Sequence, residues 1–287
     1  MAIDKARARL AFGRAAATYD QVAVLQHEIG QRLLERLDYV KLKPVRVLDI
    51  GCGTGQQTAA LLQRYPKAQV IGLDFALPMV QRTRQRGRWW RHPQGVCADL
   101  EYLPLATDSV DLIVSSAALQ WCDDPQQAFV EMQRVLRPGG LLMFTTFGPD
   151  TLCELRQAWA QLDDQPHVHR FLDMHDYGDA LVRAQFADPV MDCEKVVLTY
   201  QGVHDLLAEL KTLGATNADQ QRSRGLTGRA RLAALCDAYE RYRQPEGRLP
   251  ASYEVVYGHA WVAEHTSSIQ MPGEVRVSVD SVRSSTK

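Results

Sequence analysis

A glycine-rich loop between a predicted strand and a predicted helix most constrains how this 287-residue chain can fold. Residues 45–50 predict a buried strand, and Gly51-Cys52-Gly53-Thr54-Gly55 follow it directly. A helix is expected from there to about Arg64. Such a loop lets backbone N–H groups approach a ligand closely at the N-terminus of a helix. The segment therefore predicts an α/β fold with a ligand site at this strand end.

Strand and helix patterns continue to alternate along the first half of the chain. Further strands are predicted at 69–73, 110–115 and 141–147, and helices at 78–86 and 126–136. Strands that alternate with helices of this length are typical of βαβ units around a parallel sheet. Right-handed crossovers then place helices on both faces of that sheet.

The pattern changes after Gly148, where residues 150–188 are polar and rich in aromatic, His and Asp residues. Strand-like stretches at 190–200 and 252–262 flank a helical block at 203–243, which predicts a helical cap inserted before the last strand. The expected division is a lid of helices at 1–40, a core at 41–200 with an irregular segment at 148–188, the cap at 201–250, the last core strand at 251–265 and a tail at 266–287.

Charge and cysteine usage exclude several classes of function. The chain has 33 Lys and Arg against 34 Asp and Glu, so no global field attracts nucleic acid or a membrane. No apolar run approaches the roughly 20 residues of a membrane span, and the N-terminus lacks the apolar region of a secretory signal. Six widely spaced cysteines without a C-x-x-C pair argue against a zinc site and a disulfide framework. We expect a cytoplasmic protein without a metal.

Three carboxylates accompany the glycine loop. Asp49 precedes it, Asp74 ends the second predicted strand, and Asp99 follows a probable third strand. A carboxylate in the position of Asp74 can accept two hydrogen bonds from ribose hydroxyls, and Asp99 can accept one from an adenine amino group. The loop has the form G-x-G-x-G after an acidic residue, which is typical of S-adenosylmethionine loops. Dinucleotide sites have G-x-G-x-x-G instead. Together these features predict a site for S-adenosylmethionine.

With the segments at 110–113 and 136–140, this ordered set resembles the class I S-adenosylmethionine-dependent methyltransferases over roughly residues 10–150. The resemblance implies a Rossmann-like, seven-stranded, mostly parallel sheet whose last strand is antiparallel. It also implies that the glycines lie along the amino-acid portion of the cofactor and that residues 117–121 form the floor of the site. The cofactor-binding residues expected on this basis are Arg14, Asp49, Gly51, Cys52, Gly53, Gly55, Asp74, Phe75, Met79, Asp99, Leu100, Ala117 and Gln120.

Several segments outside this core are similar to one family, the malonyl-acyl-carrier-protein O-methyltransferases of biotin synthesis. The resemblance extends to about Trp261 and rests on residues 12–20 (FGRAAATYD), 147–152 (FGPDTL), 171–179 (FLDMHDYGD), 210–217 (LKTLGATN), 225–229 (GLTGR) and 253–261 (YEVVYGHAW). It implies methylation of the free carboxylate of a malonyl thioester on acyl carrier protein, with S-adenosylhomocysteine as the second product.

A carboxylate is already ionised at neutral pH, since its reference pKa is about 3.5, so such a reaction needs no general base. We therefore expect residues that position the carboxylate rather than a catalytic triad. The candidates are Tyr19, Trp121, His175, Arg222, Arg224 and His259. Each also has a structural interpretation, with Trp121 and His259 as core residues and Tyr19 as an anchor of the lid.

Two arginine-rich stretches are candidate landing sites for an acidic carrier protein. One lies at 82–91, and the second, in the predicted cap near the expected mouth of the site, consists of Arg222, Arg224, Arg229 and Arg231. Complementary charge would speed the encounter with the carrier, although an ordinary solvated surface is the alternative. We favour the second stretch, because the helix of the first follows the second predicted strand and is expected to lie away from the entrance. We expect a monomer that does not bind nucleic acid. Two other functions stay open: methylation of a free small acid or of malonyl-coenzyme A, and an assembly factor that transfers nothing.

Overall fold

The computed structural model describes residues 3–87, 90–222, 225 and 228–264. The strands are β1 (Arg46–Ile50), β2 (Gln69–Asp74), β3 (Gln94–Cys97), β4 (Val110–Ser116), β5 (Leu136–Phe147), β6 (Phe186–Tyr200) and β7 (Leu249–Val262). The helices are α1 (Lys5–Ala15), α2 (Tyr19–Val22), α3 (Val24–Arg36), α4 (Gln56–Arg64), α5 (Leu77–Arg84), α6 (Pro125–Val135), α7 (Cys153–Trp159), α8 (Met174–Arg183), α9 (Val203–Thr212) and α10 (Arg229–Glu240).

One sheet of seven strands organises the described part of the chain, in the order β3-β2-β1-β4-β5-β7-β6. Strands β1 to β5 are parallel to one another, whereas β7 runs antiparallel to both β5 and β6. The prediction of a seven-stranded, mostly parallel sheet whose last strand is antiparallel is confirmed. The strand order reverses between β1 and β4, and open α/β sheets bind ligands at the carboxyl ends of the strands beside such a switch.

The core lies on both faces of this sheet, because alternate residues of a strand point to opposite sides. In β1, Val47 packs in one apolar cluster with residues of α3 and α4. Its neighbour Leu48 belongs to the cluster on the other face, with residues of α6 and α8. Both side chains are fully buried. Helices therefore cover both faces and hold the strand ends rigid.

Two helices, α7 and α8, lie within the segment 148–188, where the sequence predicts irregular structure. Helix α8 starts where the carboxylate of Asp173 accepts a hydrogen bond from the backbone N–H of His175, which is a strong N-terminal cap. Tyr177, Ala180 and Leu181 then bury one face at helical spacing. The many polar residues between these apolar positions obscure the pattern in the sequence.

The first three helices and the last two frame the carboxyl ends of the strands. We call α1, α2 and α3 the lid, and α9 and α10, which lie between β6 and β7 in the sequence, the cap. The backbone N–H of Asp4 donates to the carbonyl of Ala218 at 2.7 Å, which ties the start of the lid to the cap. Within the described residues no helix has the length and apolar character that crossing a membrane would require.

Candidate functional site

The glycine loop exposes its backbone at the end of β1. Gly51, Gly53 and Gly55 all have positive φ angles, of 71°, 54° and 85°. A Cβ atom on Gly55 would lie 2.7 Å from the Cα of Thr83, so this glycine lets α5 pack tightly against the loop. A Cβ on Gly53 would meet nothing within 4 Å, although Gly53 lines a cavity. The space beside Gly53 is therefore left for a ligand.

Asp74, at the end of β2, is held in place by the loop. One carboxylate oxygen accepts from the N–H of Gly53 at 3.0 Å and the other from the N–H of Ala76 at 2.8 Å. Burial raises the pKa of Asp74 to about 6, against the lowering effect of these hydrogen bonds. Each oxygen of a carboxylate has a second lone pair, so Asp74 can still accept from two hydroxyls of a ligand.

Two further side chains, those of Asp49 before the loop and Cys52 within it, stabilise the shape of the loop. Asp49 accepts a hydrogen bond from the hydroxyl of Thr58, the second residue after Gln56 in α4, and burial raises its pKa to about 7. The Cys52 sulfur lies 3.3 Å from the hydroxyl oxygen of Thr83, and burial raises the pKa of its thiol. Among the described lining residues of the two cavities below, neither Asp49 nor Cys52 appears, so both side chains act on the shape of the loop.

The first cavity has an empty volume of about 610 Å³ and lies at the ends of β1, β2 and β4, covered by the lid. Phe12 closes it, with its ring 5.9 Å from that of Phe75 and edge-on to that of Trp121 at 5.0 Å. A backbone cradle, a buried acidic acceptor and apolar walls in one cleft fit a nucleoside linked to an amino acid, which is the chemistry of S-adenosylmethionine.

Asp99 lines the first cavity and is also bound to the lid. Its Oδ2 lies 2.8 Å from the ammonium nitrogen of Lys5, which forms a second ion pair with Glu101 at 2.8 Å. Burial lowers the pKa of Lys5, but the hydrogen bonds to the two carboxylates outweigh it and leave the pKa raised. The lid is thus fastened at the cavity end where the sequence places the adenine.

A second, larger cavity has an empty volume of about 1360 Å³ and lies between the sheet, α7 and the cap. Its walls are mostly apolar, as with Phe147, Leu155 and Leu210. Among the described residues no carboxylate lines it, and Lys211 is its cationic side chain.

The two cavities meet, because Phe12, Tyr19, Ala117 and Trp121 line both of them. Ala117 has a positive φ of 49°, which is strained for a residue other than glycine, and its N–H donates to Thr145. Burial, with the nearby charges of Asp74 and Asp20, raises the pKa of Tyr19 above its usual range, so its phenol stays a donor. Ligands in the two cavities would therefore face one another across these four residues.

Behind this junction a short chain of polar contacts leads into the second cavity. The Gln120 side chain donates to the carbonyl of Ala117 at 2.7 Å and accepts from the hydroxyl of Thr146 at 3.3 Å. The carbonyl of Gln120 lies 3.1 Å from Nε2 of His169, whose ring stacks on Trp121 at a centroid distance of 5.8 Å.

Most of the predicted cofactor residues are brought together by the fold. Asp49, Cys52 and Gly55 belong to the end of β1 and to the loop but line neither cavity. Gln120 lines the second cavity only, and Arg14 is exposed on the lid and lines neither cavity. Those that line the first cavity are Gly51, Gly53, Asp74, Phe75, Met79, Asp99, Leu100 and Ala117.

The candidates for positioning the substrate are largely scattered. Tyr19 and Trp121 lie at the junction, but His175 is exposed at the start of α8 and pairs with Asp173 at 2.5 Å. His259 lies on β7 away from both cavities, and burial lowers its pKa. The remaining candidates are Arg222, which lines neither cavity, and Arg224, which lies outside the described residues.

Two of the predicted docking arginines are engaged by carboxylates of the chain itself. Arg222 pairs with Asp4 at 3.2 Å, and Arg231 pairs with Asp163 and lies over the ring of Trp159. Arg229 is exposed at the start of α10.

Sequence reasoning missed several polar residues of the second cavity, among them Gln26, His169 and Lys211. Gln26 and Lys211 lie on helices and His169 lies in a loop. Because the three are far apart in the sequence, no local spacing predicts that they line one cavity. Within the described residues no group of His, Cys, Asp or Glu could hold a metal ion.

Comparison with known proteins identifies the class. Residues 48–144 match the family described as "Methyltransferase domain". The YcgJ protein of Bacillus subtilis has the same fold, with a TM-score of 0.57 and 20% identity over 82% of this chain and 99% of that one. With the cavity at the switch point of the sheet, these matches show a methyltransferase domain with the class I methyltransferase fold.

Relatives with known names narrow this class to a family. The malonyl-[acyl-carrier protein] O-methyltransferase of Halorhodospira halophila is 51% identical over 98% of this chain and 96% of its own length. The enzyme of the same name from Gallionella capsiferriformans is 53% identical over 90% of this chain and 91% of its own. The chain belongs to the malonyl-[acyl-carrier protein] O-methyltransferase family.

Proposed function

We propose that this chain transfers the methyl group of S-adenosylmethionine to the free carboxylate of a malonyl thioester on acyl carrier protein. The products would be the malonyl methyl ester on the carrier, for biotin synthesis, and S-adenosylhomocysteine. The observation that carries the proposal is the meeting of two cavities at Phe12, Tyr19, Ala117 and Trp121 in a member of this family. One cavity fits the cofactor, and the other is large and apolar enough for an acyl arm.

The residues of the first cavity fit the cofactor as follows. The backbone of Gly51 and Gly53 would lie along its amino-acid portion, and Asp74 would accept from the ribose hydroxyls. Asp99 and Leu100 would border the adenine. When bound, S-adenosylmethionine supplies an electrophilic methyl group on a sulfonium. The residues of the chain bind and orient, since no general base is needed.

At the junction the phenol of Tyr19 and the indole N–H of Trp121 are the donors available to a carboxylate. Among the described residues no arginine lines either cavity. The apolar groups of Phe12 and Ala117 exclude water there. Holding the reacting atoms together accounts for effective molarities of roughly 10⁵–10⁸ M in model reactions.

For the carrier we propose docking beside the cap. Of the four arginines predicted to bind it, Arg229 is exposed and would contact the carrier together with Arg224. Arg222 and Arg231 would contribute less, because Asp4 and Asp163 already pair with them. We also propose that the protein acts as a monomer.

Mass spectrometry of malonyl-acyl carrier protein, incubated with the purified chain and S-adenosylmethionine, tests the proposal. We expect a gain of one methyl group on the carrier-bound malonyl group, lost in Asp74→Ala and retained in Asp179→Ala. Asp179 is a matched control because it is an exposed aspartate of α8, away from both cavities.

Malonyl-coenzyme A, assayed in parallel, separates the alternatives. Equal rates on both thioesters would remove the docking role of the arginines. Binding of S-adenosylhomocysteine without methyl transfer to either thioester would overturn the proposed function and favour an assembly factor.

A further inference from the structure

His169 is a buried polar residue of the second cavity that the proposed reaction leaves without a role. It is 8% exposed and lines the cavity. Its Nε2 lies 3.1 Å from the carbonyl oxygen of Gln120. A carbonyl can only accept, so Nε2 carries the proton and donates. The orientation of the ring follows from this bond.

The second ring nitrogen, Nδ1, has no hydrogen-bond partner among the described residues. Burial lowers the pKa of His169, which keeps the ring neutral at physiological pH, so Nδ1 presents a lone pair and acts as an acceptor. Stacking on Trp121 and an edge contact with Phe171, at a centroid distance of 5.4 Å, hold the ring plane. Buried acceptors left without a donor destabilise a protein, and this one is therefore expected to find its donor in a ligand.

The chemistry of this acceptor selects the part of the ligand that it can bind. A malonyl carboxylate is itself only an acceptor, so it does not fit a neutral Nδ1. An amide N–H does fit. Gln26, on the wall of the same cavity, also has a buried carbonyl oxygen without a partner, which adds a second acceptor. The cavity therefore fits a ligand that is mostly apolar and carries N–H groups as hydrogen-bond donors.

The distances agree with a thioester arm. In a malonyl thioester of pantetheine, six bonds separate the reacting carboxyl carbon from the nearest amide nitrogen, a span of roughly 8 Å at full extension. His169 lies one ring beyond Trp121, at 5.8 Å between centroids, and Trp121 belongs to the junction. A carboxylate at the junction would thus bring this N–H to the region of His169.

We propose that Nδ1 of His169 accepts a hydrogen bond from the amide N–H nearest the sulfur of the pantetheine arm. The inference rests on the proposed function and deepens it. The second cavity then recognises an amide-bearing thioester, and His169 positions the malonyl group by holding its arm.

Two small thioesters that differ in one atom test this bond. One is the malonyl thioester of N-acetylcysteamine, and the other replaces its amide N–H by an ester oxygen. We expect kcat/KM of the wild-type protein to fall roughly ten-fold for the ester, mainly through KM, because it removes one buried hydrogen bond. In His169→Phe, which keeps the stacking on Trp121, the two substrates should react at nearly equal rates.

His167→Phe is the matched control. His167 lines the same cavity, but its Nε2 is bound to Asp163 at 2.8 Å and its ring stacks on Trp159. This variant should keep the ten-fold preference for the amide, whatever its overall rate. Binding of S-adenosylhomocysteine shows that each variant is folded.

A wild-type ratio near one would overturn the inference, and this comparison needs no variant. So would a ten-fold preference that survives in folded His169→Phe. In both cases malonyl-acyl carrier protein would still be methylated, and the proposed function would stand. Absence of transfer to malonyl-acyl carrier protein itself would instead overturn the proposed function, and the inference with it.

Discussion

The two cavities that meet at Phe12, Tyr19, Ala117 and Trp121 are built in different ways. The first is lined by short segments that each follow a strand, near residues 51–53, 73–79, 98–100 and 116–121, with two lid residues above them. The second draws its walls from α3, the segment 147–171, the region 207–217 and β7. A site at the ends of parallel strands is thus encoded locally, whereas the second site depends on how distant segments pack.

The electrostatics of the two cavities also differ. The first has Asp74 in its wall and Asp49 beneath its loop, both with raised pKa values. Among the described residues that line the second cavity there is no carboxylate, and its buried histidine is held neutral. Ligand binding at the first site should therefore depend on charge and pH. Ligand binding at the second site should depend on shape and packing.

Asp74→Ala tests the local character of the first site and should have the largest effect. The change removes two hydrogen bonds from ribose hydroxyls to a charged group, worth roughly 1.5–3 kcal/mol each. We expect the affinity for S-adenosylhomocysteine to fall roughly 10²–10⁴-fold, measured by calorimetry. The control Asp179→Ala should bind as the wild type does, and a loss below ten-fold would show that Asp74 does not hold the cofactor.

Much of the first site is predictable because its signal is local. The glycine loop, Asp74 and Asp99 each stand at a strand end, and the parallel order of the strands brings such ends to one edge of the sheet. What the sequence does not reveal is the partner of Asp99. Lys5 lies 94 residues away, at the start of a helix whose position depends on the packing of the lid.

The buried carboxylate of Asp49 should make the stability of the ligand-free protein depend on pH. Its pKa is about 7 in the folded state against 3.8 in the unfolded chain. A raised folded pKa gives stability that is present at low pH and is lost as the pH rises through about 7. We expect Asp49 alone to lower the free energy of unfolding by roughly 2–3 kcal/mol between pH 5 and pH 8, measured by urea denaturation.

Asp49→Asn provides the control, because the amide oxygen still accepts from Thr58 but does not titrate. This variant should lose most of the decrease and keep the smaller part due to Asp74, whose pKa is raised to about 6. Equal slopes in the variant and the wild type would show that Asp49 is ionised throughout the range.

Gly53→Ala and Gly55→Ala sharpen the distinction between binding and packing within one loop. Both glycines have positive φ, so alanine adds strain of roughly 1–2 kcal/mol at either position. A methyl group on Gly53 enters open space in the cavity, and on Gly55 it strikes Thr83.

We therefore expect Gly55→Ala to lower the melting temperature more, and Gly53→Ala to weaken the binding of S-adenosylhomocysteine by more than its loss of stability explains. Thermal melts with and without this ligand measure both effects. The reverse order would mean that the ligand does not lie against Gly53.

The second site largely escapes prediction because its residues are separated in the sequence. Tyr19 and Trp121, which the sequence singles out because they flank recognisable motifs, line both cavities. His175 and His259 share their residue type with His169 but lie outside both cavities. Which of these histidines lines a cavity depends on the packing of loops, helices and the sheet. The spacing of residues in the sequence does not predict this packing.

Gly214→Ala tests whether the second site depends on packing between cap and lid, and its effect should be the smallest. Gly214 follows α9 with a φ of 77°, and a Cβ there would lie 3.0 Å from the backbone carbonyl of Ala11. Its neighbours Leu213 and Ala215 line the second cavity. We expect a loss of stability of roughly 1–2 kcal/mol and a KM for the malonyl thioester raised several-fold.

The affinity for S-adenosylhomocysteine should change less than this KM, because the loop of the first cavity is untouched. Gly228→Ala is the matched control in the cap, since its φ is negative and a Cβ meets nothing within 4 Å. It should leave both quantities at the wild-type level. If Gly214→Ala weakened the binding of the cofactor by the same factor by which it raised KM, the lid would transmit the disturbance through Phe12. The two cavities would then open and close as one.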